Sequence, residues 1–173
     1  MYLRRAVMLL ALMSLAGAAL AGPAHASNKL PTPGKPVLLE VTGKITVTNE
    51  EGSARFDREM LNALPQHRLE TYTDWTEGLQ VFEGPLLVDV LERVGAYGTT
   101  LRAIALNDYQ VDIPSADSGN YPVVLALRHN GTPMSVRDKG PIWIIYPNPS
   151  PEAALASPHN DKSIWQLRSL DVR

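Results

Sequence analysis

The chain contains no cysteine. That excludes a thiolate nucleophile, cysteine-bound zinc and an iron–sulfur cluster. It also denies the chain the disulfides on which small exported domains commonly rely, so the fold must stand on burial alone. A run of basic residues is missing too, which argues against a nucleic-acid partner or an anionic membrane surface. No G-x-S-x-G elbow or phosphate loop is present. His67, His129 and His159 are scattered without the spacing a metal needs, so no metal site is expected. Beyond the amino terminus no apolar run is long enough for a span.

What is present begins with Arg4 and Arg5, an apolar stretch from Ala6 to Ala21, and Ala24, His25 and Ala26 ahead of Ser27. This is the pattern of a cleavable signal peptide over residues 1–26, with cleavage expected near Ala26 and no membrane insertion of the mature chain. Removing 26 of 173 residues leaves 147, a length suited to one domain. The segment takes Arg4 and Arg5 and no acid with it, moving the formal charge from −2 to −4. Residues 27–36 are rich in Pro, Gly and Lys and read as a flexible linker, leaving a domain over residues 37–173.

Within that domain, the β-branched runs Val37–Val41 and Ile45–Val47 predict strands around a bend at Gly43. Asp57 caps a short helix stopped by Pro65. A strand is expected over His67–Trp75. Leu86, Leu87, Val90, Leu91 and Val94 recur at helical spacing, with Gly95 as the carboxyl cap. Strands follow over 101–106, 109–113, 123–128, 142–146 and 164–172, with a hairpin turn at Asn130 and Gly131, where a formal glycosylation sequon also falls. Residues 147–158 read as an exposed loop. Short strands, few helices and no regular strand–helix alternation predict a mixed α+β domain on a largely antiparallel sheet.

The order of these signals resembles the molybdopterin-binding domains of the sulfite-oxidase type. It is carried by Trp75 to Gly78, then Phe82, Gly84, Pro85, Asp89 and Leu91, then Ala105, Asn107, Asp108, Tyr109, Ile113 and Pro114. Leu125, Ala126, Asn130, Gly131, Pro133, Met134, Gly140, Pro141, Tyr146, Pro147, Ser163, Trp165 and Leu167 continue it. The resemblance runs from about Val37 to Val172. It implies a pterin pocket, yet the thiolate that holds molybdenum in catalytic members has no counterpart here: the stretch around it shows Thr71, Tyr72, Thr73 and Asp74. The family's basic phosphate-binding cluster is reduced to Arg137 and Lys139. Cysteine-free, stand-alone, exported versions resemble periplasmic pterin-binding proteins that work with inner-membrane receptors controlling cyclic di-GMP enzymes.

If that resemblance holds, the ligand is a signal. A pterin offers an amino group and a ring N–H side by side, which one carboxylate accepts together, and Asp108 is the first candidate for it. On an extended strand Asp108 shares a face with Gln110 and Asp112, turning Tyr109 inward, although Asn107 and Asp108 also suit a turn. Trp75, Phe82 or Tyr72 could stack on the flat ring, though Phe82 and Trp143 also read as core. Arg137 could donate to the ring carbonyl or an anionic tail, with Lys139, Ser135 and Asn107 adding polar contacts. The expectation is therefore a non-catalytic periplasmic domain with pterin as ligand and the periplasmic domain of an inner-membrane signalling protein as partner. The alternatives are a molybdopterin-dependent oxidoreductase without the usual cysteine, and a scaffold binding a partner through residues 147–158.

Overall fold

The structure, a computed structural model, describes residues 29–173. The expected signal peptide, its cleavage site and residues 27–28 lie outside the described residues. The chain runs β1 (Val37–Gly43), β2 (Ser53–Asp57), α1 (Arg58–Asn62), β3 (His67–Thr71), β4 (Gln80–Gly84), α2 (Leu87–Arg93), β5 (Thr100–Ala105), β6 (Gln110–Pro114), α3 (Asp117–Asn120), β7 (Val124–Ala126), β8 (Arg128–His129), β9 (Thr132–Pro133), β10 (Trp143–Ile145), α4 (Pro151–Leu155) and β11 (Leu167–Val172).

The main sheet has the order β2-β1-β11-β5-β6. Only β1 and β11 pair in parallel within it. The chain therefore returns its carboxyl terminus to the middle of the sheet begun by its amino-terminal strand. Alternation fixes which side is buried: Leu39 and Val41 on β1, and Leu101, Ala103 and Ala105 on β5, all point into one core. Leu87, Val90, Leu91 and Val94 of the α2 region join that core, each such side chain contributing about 1.5–3 kcal/mol when fully buried. Gly95 closes α2 at φ +60°, as the spacing predicts.

A second apolar cluster gathers under the smaller sheets β3-β4-β8-β9 and β10-β7. It holds Phe82, Val124, Ala126, Met134, Trp143 and Ile145, with Leu69, Trp75, Leu86 and Trp165 packed against it. Gly84 lets β4 run against β7, since a Cβ there would lie 2.0 Å from the Leu125 carbonyl oxygen.

Several local expectations are corrected. Ile45–Val47 is not a strand: the N–H groups of Thr46 and Val47 donate to the Val94 carbonyl, so the segment caps the end of α2 instead of joining a ladder. The strand from His67 stops at Thr71, because the Thr71 hydroxyl and the Tyr72 N–H turn to the Asn148 carbonyl. The expected strand over 123–128 divides at Leu127 between two sheets, and residues 147–158 contain α4, capped by Ser150. The stretch that composition marks as linker is packed where it is described: Leu30 is 2% exposed, and Gly34 and Lys35 donate their N–H groups to Asp57 Oδ2 at 2.9 and 3.1 Å.

Candidate ligand-binding cleft

Where the main sheet meets the aromatic cluster, a cleft of about 280 Å³ opens, lined by Trp75, Ala105, Asn107, Tyr109, Asn160, Asp161, Ser163, Ile164 and Trp165. Three pieces of chain build it. The turn from β5 to β6 brings Ala105, Asn107 and Tyr109; the segment before β11 brings residues 160–165; the loop after β3 brings Trp75.

Each piece is held by its own local bonds. In the β5–β6 turn the Asn107 Oδ1 accepts the Tyr109 N–H at 3.1 Å, which commits the oxygen of that amide and leaves its NH₂ without a partner among the described residues. Trp75 is oriented by the Thr73 hydroxyl, which accepts its N–H at 3.2 Å and pairs with the Thr76 hydroxyl at 2.7 Å. Ser163 and Ile164 are fixed to β10: the Trp143 indole donates to the Ser163 carbonyl at 3.0 Å, and the Ile144 N–H to the Ile164 carbonyl at 2.9 Å.

Trp75, Trp143 and Trp165 meet edge to face. Their centroids lie 6.0 Å apart for Trp75 and Trp143, 5.6 Å for Trp75 and Trp165, and 6.3 Å for Trp143 and Trp165. Trp143 is buried and supports the other two, which stay half-buried at the cleft. Indole faces and edges of this kind favour a flat aromatic guest over a flexible chain. Across the opening, the Tyr109 hydroxyl donates to the Asp161 main-chain carbonyl at 3.3 Å, joining the two walls. The Asp161 carboxylate has no hydrogen bond or ion pair among the described residues. It is therefore free to accept a paired set of ring N–H and amino donors.

The sequence-derived candidates divide. Trp75 and Asn107 line the cleft. Asp108 does not: it holds φ +66° in the turn, its side chain is 75% exposed, and its carboxylate accepts Arg168 Nη2 at 2.7 Å. Phe82 is fully buried and stacks on the His129 ring at 4.7 Å. Ser135 donates to Asp138 Oδ2 at 2.6 Å, and Arg137 stands exposed on a 3₁₀ turn beside it. Lys139 places its Nζ 5.3 Å from the Trp143 ring centroid, behind the cleft. Tyr109, expected to pack inward, is 49% exposed and forms part of the wall, because the turn at Asp108 breaks the strand alternation that would have hidden it. Asn160, Asp161 and Ser163, which the sequence does not mark as site residues, also line the cleft. The available cue is a polar run from His159 to Ser163 directly ahead of Ile164 and Trp165.

Thr71 is fully buried with its hydroxyl donating to the Asn148 carbonyl, and the Thr73 hydroxyl is paired with that of Thr76, so neither threonine of the stretch expected in place of a cysteine ligand has a free hydroxyl. No lysine or arginine lines the cleft, so a phosphate-bearing tail would find no cation in its lining. The lining, with neither a cation nor a thiolate, does not fit the phosphorylated, metal-bearing cofactor.

No family model and no curated protein matches the chain. Among solved structures it is similar to the sulfane dehydrogenase SoxCD from Paracoccus pantotrophus, with a TM-score of 0.59 and 18% identity over 78% of this chain. The match spans 37% of that protein's chain. The fold is thus the mixed α+β, largely antiparallel arrangement of the sulfite-oxidase type expected from the sequence.

Proposed function

We propose that this protein is an exported, non-catalytic domain that captures a pterin lacking a phosphate and presents it to the periplasmic domain of an inner-membrane signalling protein. The observation that carries the reading is the cleft: two half-buried indoles and Tyr109 surround a space of about 280 Å³ whose one charged lining residue is the unpaired Asp161. A pterin ring matches it in each respect. One face lies against one of the two indoles while the other indole, nearly perpendicular to the first, meets its edge, and its adjacent amino and ring N–H donors meet the Asp161 carboxylate. The Asn107 and Asn160 amides supply polar contacts at the ring's remaining edges.

The export half of the reading rests on the signal pattern of residues 1–26, and the signalling half on the resemblance to cysteine-free pterin-binding regulators. With no thiolate in the chain, the domain keeps the shape for the ring and lacks the sulfur that would anchor a metal beside it. Likeness to a dehydrogenase favours a second reading, a molybdopterin-dependent oxidoreductase lacking the cysteine ligand.

Two measurements separate the readings. Titration of the purified protein with neopterin in a calorimeter is expected to give saturable one-to-one binding, and no heat across a panel of oxidised and reduced pterins would remove the proposal. Elemental analysis of protein prepared from its native host is expected to show no molybdenum at stoichiometric level; a full equivalent would establish the oxidoreductase reading instead.

A further inference from the structure

Behind the wall formed by residues 160–165 lies a second cluster that never reaches the cleft. Residues 160, 161, 163, 164 and 165 all line the cleft, whereas Lys162 turns the other way. Its Nζ donates to Asp117 Oδ2 at 2.8 Å, with side-chain exposures of 17% and 11%. The same carboxylate oxygen accepts the Tyr146 hydroxyl at 2.9 Å. His159 stacks on the Tyr146 ring at 4.5 Å and 10°, and the Lys162 Nζ lies 5.6 Å from that ring's centroid.

This arrangement divides the wall into two parts. Its base, Ser163 and Ile164, is bonded to β10. Its tip, His159 to Lys162, makes one ion pair to the body, at Asp117 on α3, besides the His159 ring contacts with Tyr146 and Tyr121, the Asn160 amide donating to the Ala154 carbonyl at 2.9 Å and the exposed Tyr109 bridge. A charged pair this deeply screened from water holds its geometry more firmly than a surface pair does, since neither ion finds solvent on separation. Asn160 and Asp161, the two polar groups of the tip, flank the lysine that is held.

We infer that the Asp117–Lys162 pair, seated on Tyr146, is a latch that positions the ligand-contacting tip of the cleft wall. Lys162 and Asp117 are thus positioning residues for binding. The inference rests on reading the cleft as a pterin site, but its mechanical half does not need the ligand.

The test uses the full chain carrying Asp117→Asn and Lys162→Met together, which leaves no lone buried charge to unfold the protein. Amide hydrogen exchange is followed by residue, and neopterin binding by calorimetry. Release of the latch is expected to speed exchange at the Lys162 and Ser163 amides, whose acceptors are the tip carbonyls of His159 and Asn160, leave the main-sheet amides of β1 and β5 as protected as before, and weaken neopterin binding about tenfold or more. Lys162→Arg, which keeps the charge, is expected to retain wild-type affinity within about twofold. Unchanged exchange at the tip, or faster exchange with undiminished neopterin affinity, overturns the inference. If the wild-type protein does not bind neopterin at all, the pterin reading falls separately. The exchange arm then decides alone: local acceleration supports the latch, and none refutes it.

Discussion

Trp75 and Asp108 show how far one residue's surroundings decide its role. Both stand out in the sequence, one as a stacking surface and the other as the carboxylate partner of a pterin. In the fold Trp75 reaches the cleft, while Asp108 spends its charge on Arg168 at the surface. Trp75→Ala is accordingly expected to weaken neopterin binding about tenfold, the scale of one aromatic stacking contact, while Asp108→Ala leaves it within about twofold. Asp161→Asn is expected to weaken binding at least as much as Trp75→Ala, because it puts an NH₂ donor against one of the two ligand donors that the carboxylate oxygens accepted side by side. Calorimetric titration of the three variants checks all three expectations; a larger loss in Asp108→Ala than in Asp161→Asn would reverse the assignment.

Ionisable residues also set how stability depends on pH. The Met60 N–H bond, then those from Gly34 and Lys35, hold the Asp57 carboxyl below its ordinary 3.8, outweighing burial. Burial pushes Asp117 upward, yet the bonds from Lys162 and Tyr146 overcome it and leave that carboxyl lowered as well. Both therefore stabilise the fold fully above 3.8, and that contribution is lost as the pH falls through the depressed folded values. His129 and His159 are pushed below 6.5 by burial and then by Lys139 and Lys162 respectively. For them the unfolded chain binds the proton first, so stability begins to fall as the pH drops through 6.5. Urea unfolding between neutral and strongly acid pH is expected to show two declines, a shallow one near 6.5 and a steeper one below 3.8. Asp57→Ala is expected to cost about 1–2 kcal/mol at neutral pH through loss of the α1 cap, and to flatten the acid decline.

Among the elements, those with a strong internal signal were legible in the sequence. The α2 stripe and its Gly95 cap, the Asn130–Gly131 turn, the Asp57 cap and the strands β5, β6 and β11 follow from spacing and turn chemistry alone. What could not be read depends on distant partners. Ile45 and Val47 have strand-forming side chains, yet their segment serves the end of α2; Leu127 divides a continuous apolar run because its two ends meet different sheets. The cleft was half legible for the same reason. Trp75 and Asn107 belong to recognisable loops, whereas the 160–165 wall becomes a wall only when β11 returns to the sheet centre. The junction of β4 with β7 has a sharp test of its own. Gly84→Ala would drive a methyl group to 2.0 Å from the Leu125 carbonyl oxygen. It is expected to lower stability by about 1–3 kcal/mol, measured by the urea midpoint; a neutral result would mean the strands can separate without cost.

At the scale of the whole molecule, two cores meet along the line where the cleft opens, one aliphatic under the main sheet and one aromatic under the smaller sheets. A ligand seated there touches elements from both and binds the folded state alone, so neopterin is expected to raise the thermal midpoint in step with its concentration. The most direct measurement is the structure of the protein with neopterin bound. The account predicts the pterin ring packed against Trp75 and Trp165, with its amino edge on the Asp161 carboxylate. A ring found elsewhere on the surface, or in this cleft with Asp161 turned away from it, would contradict the account.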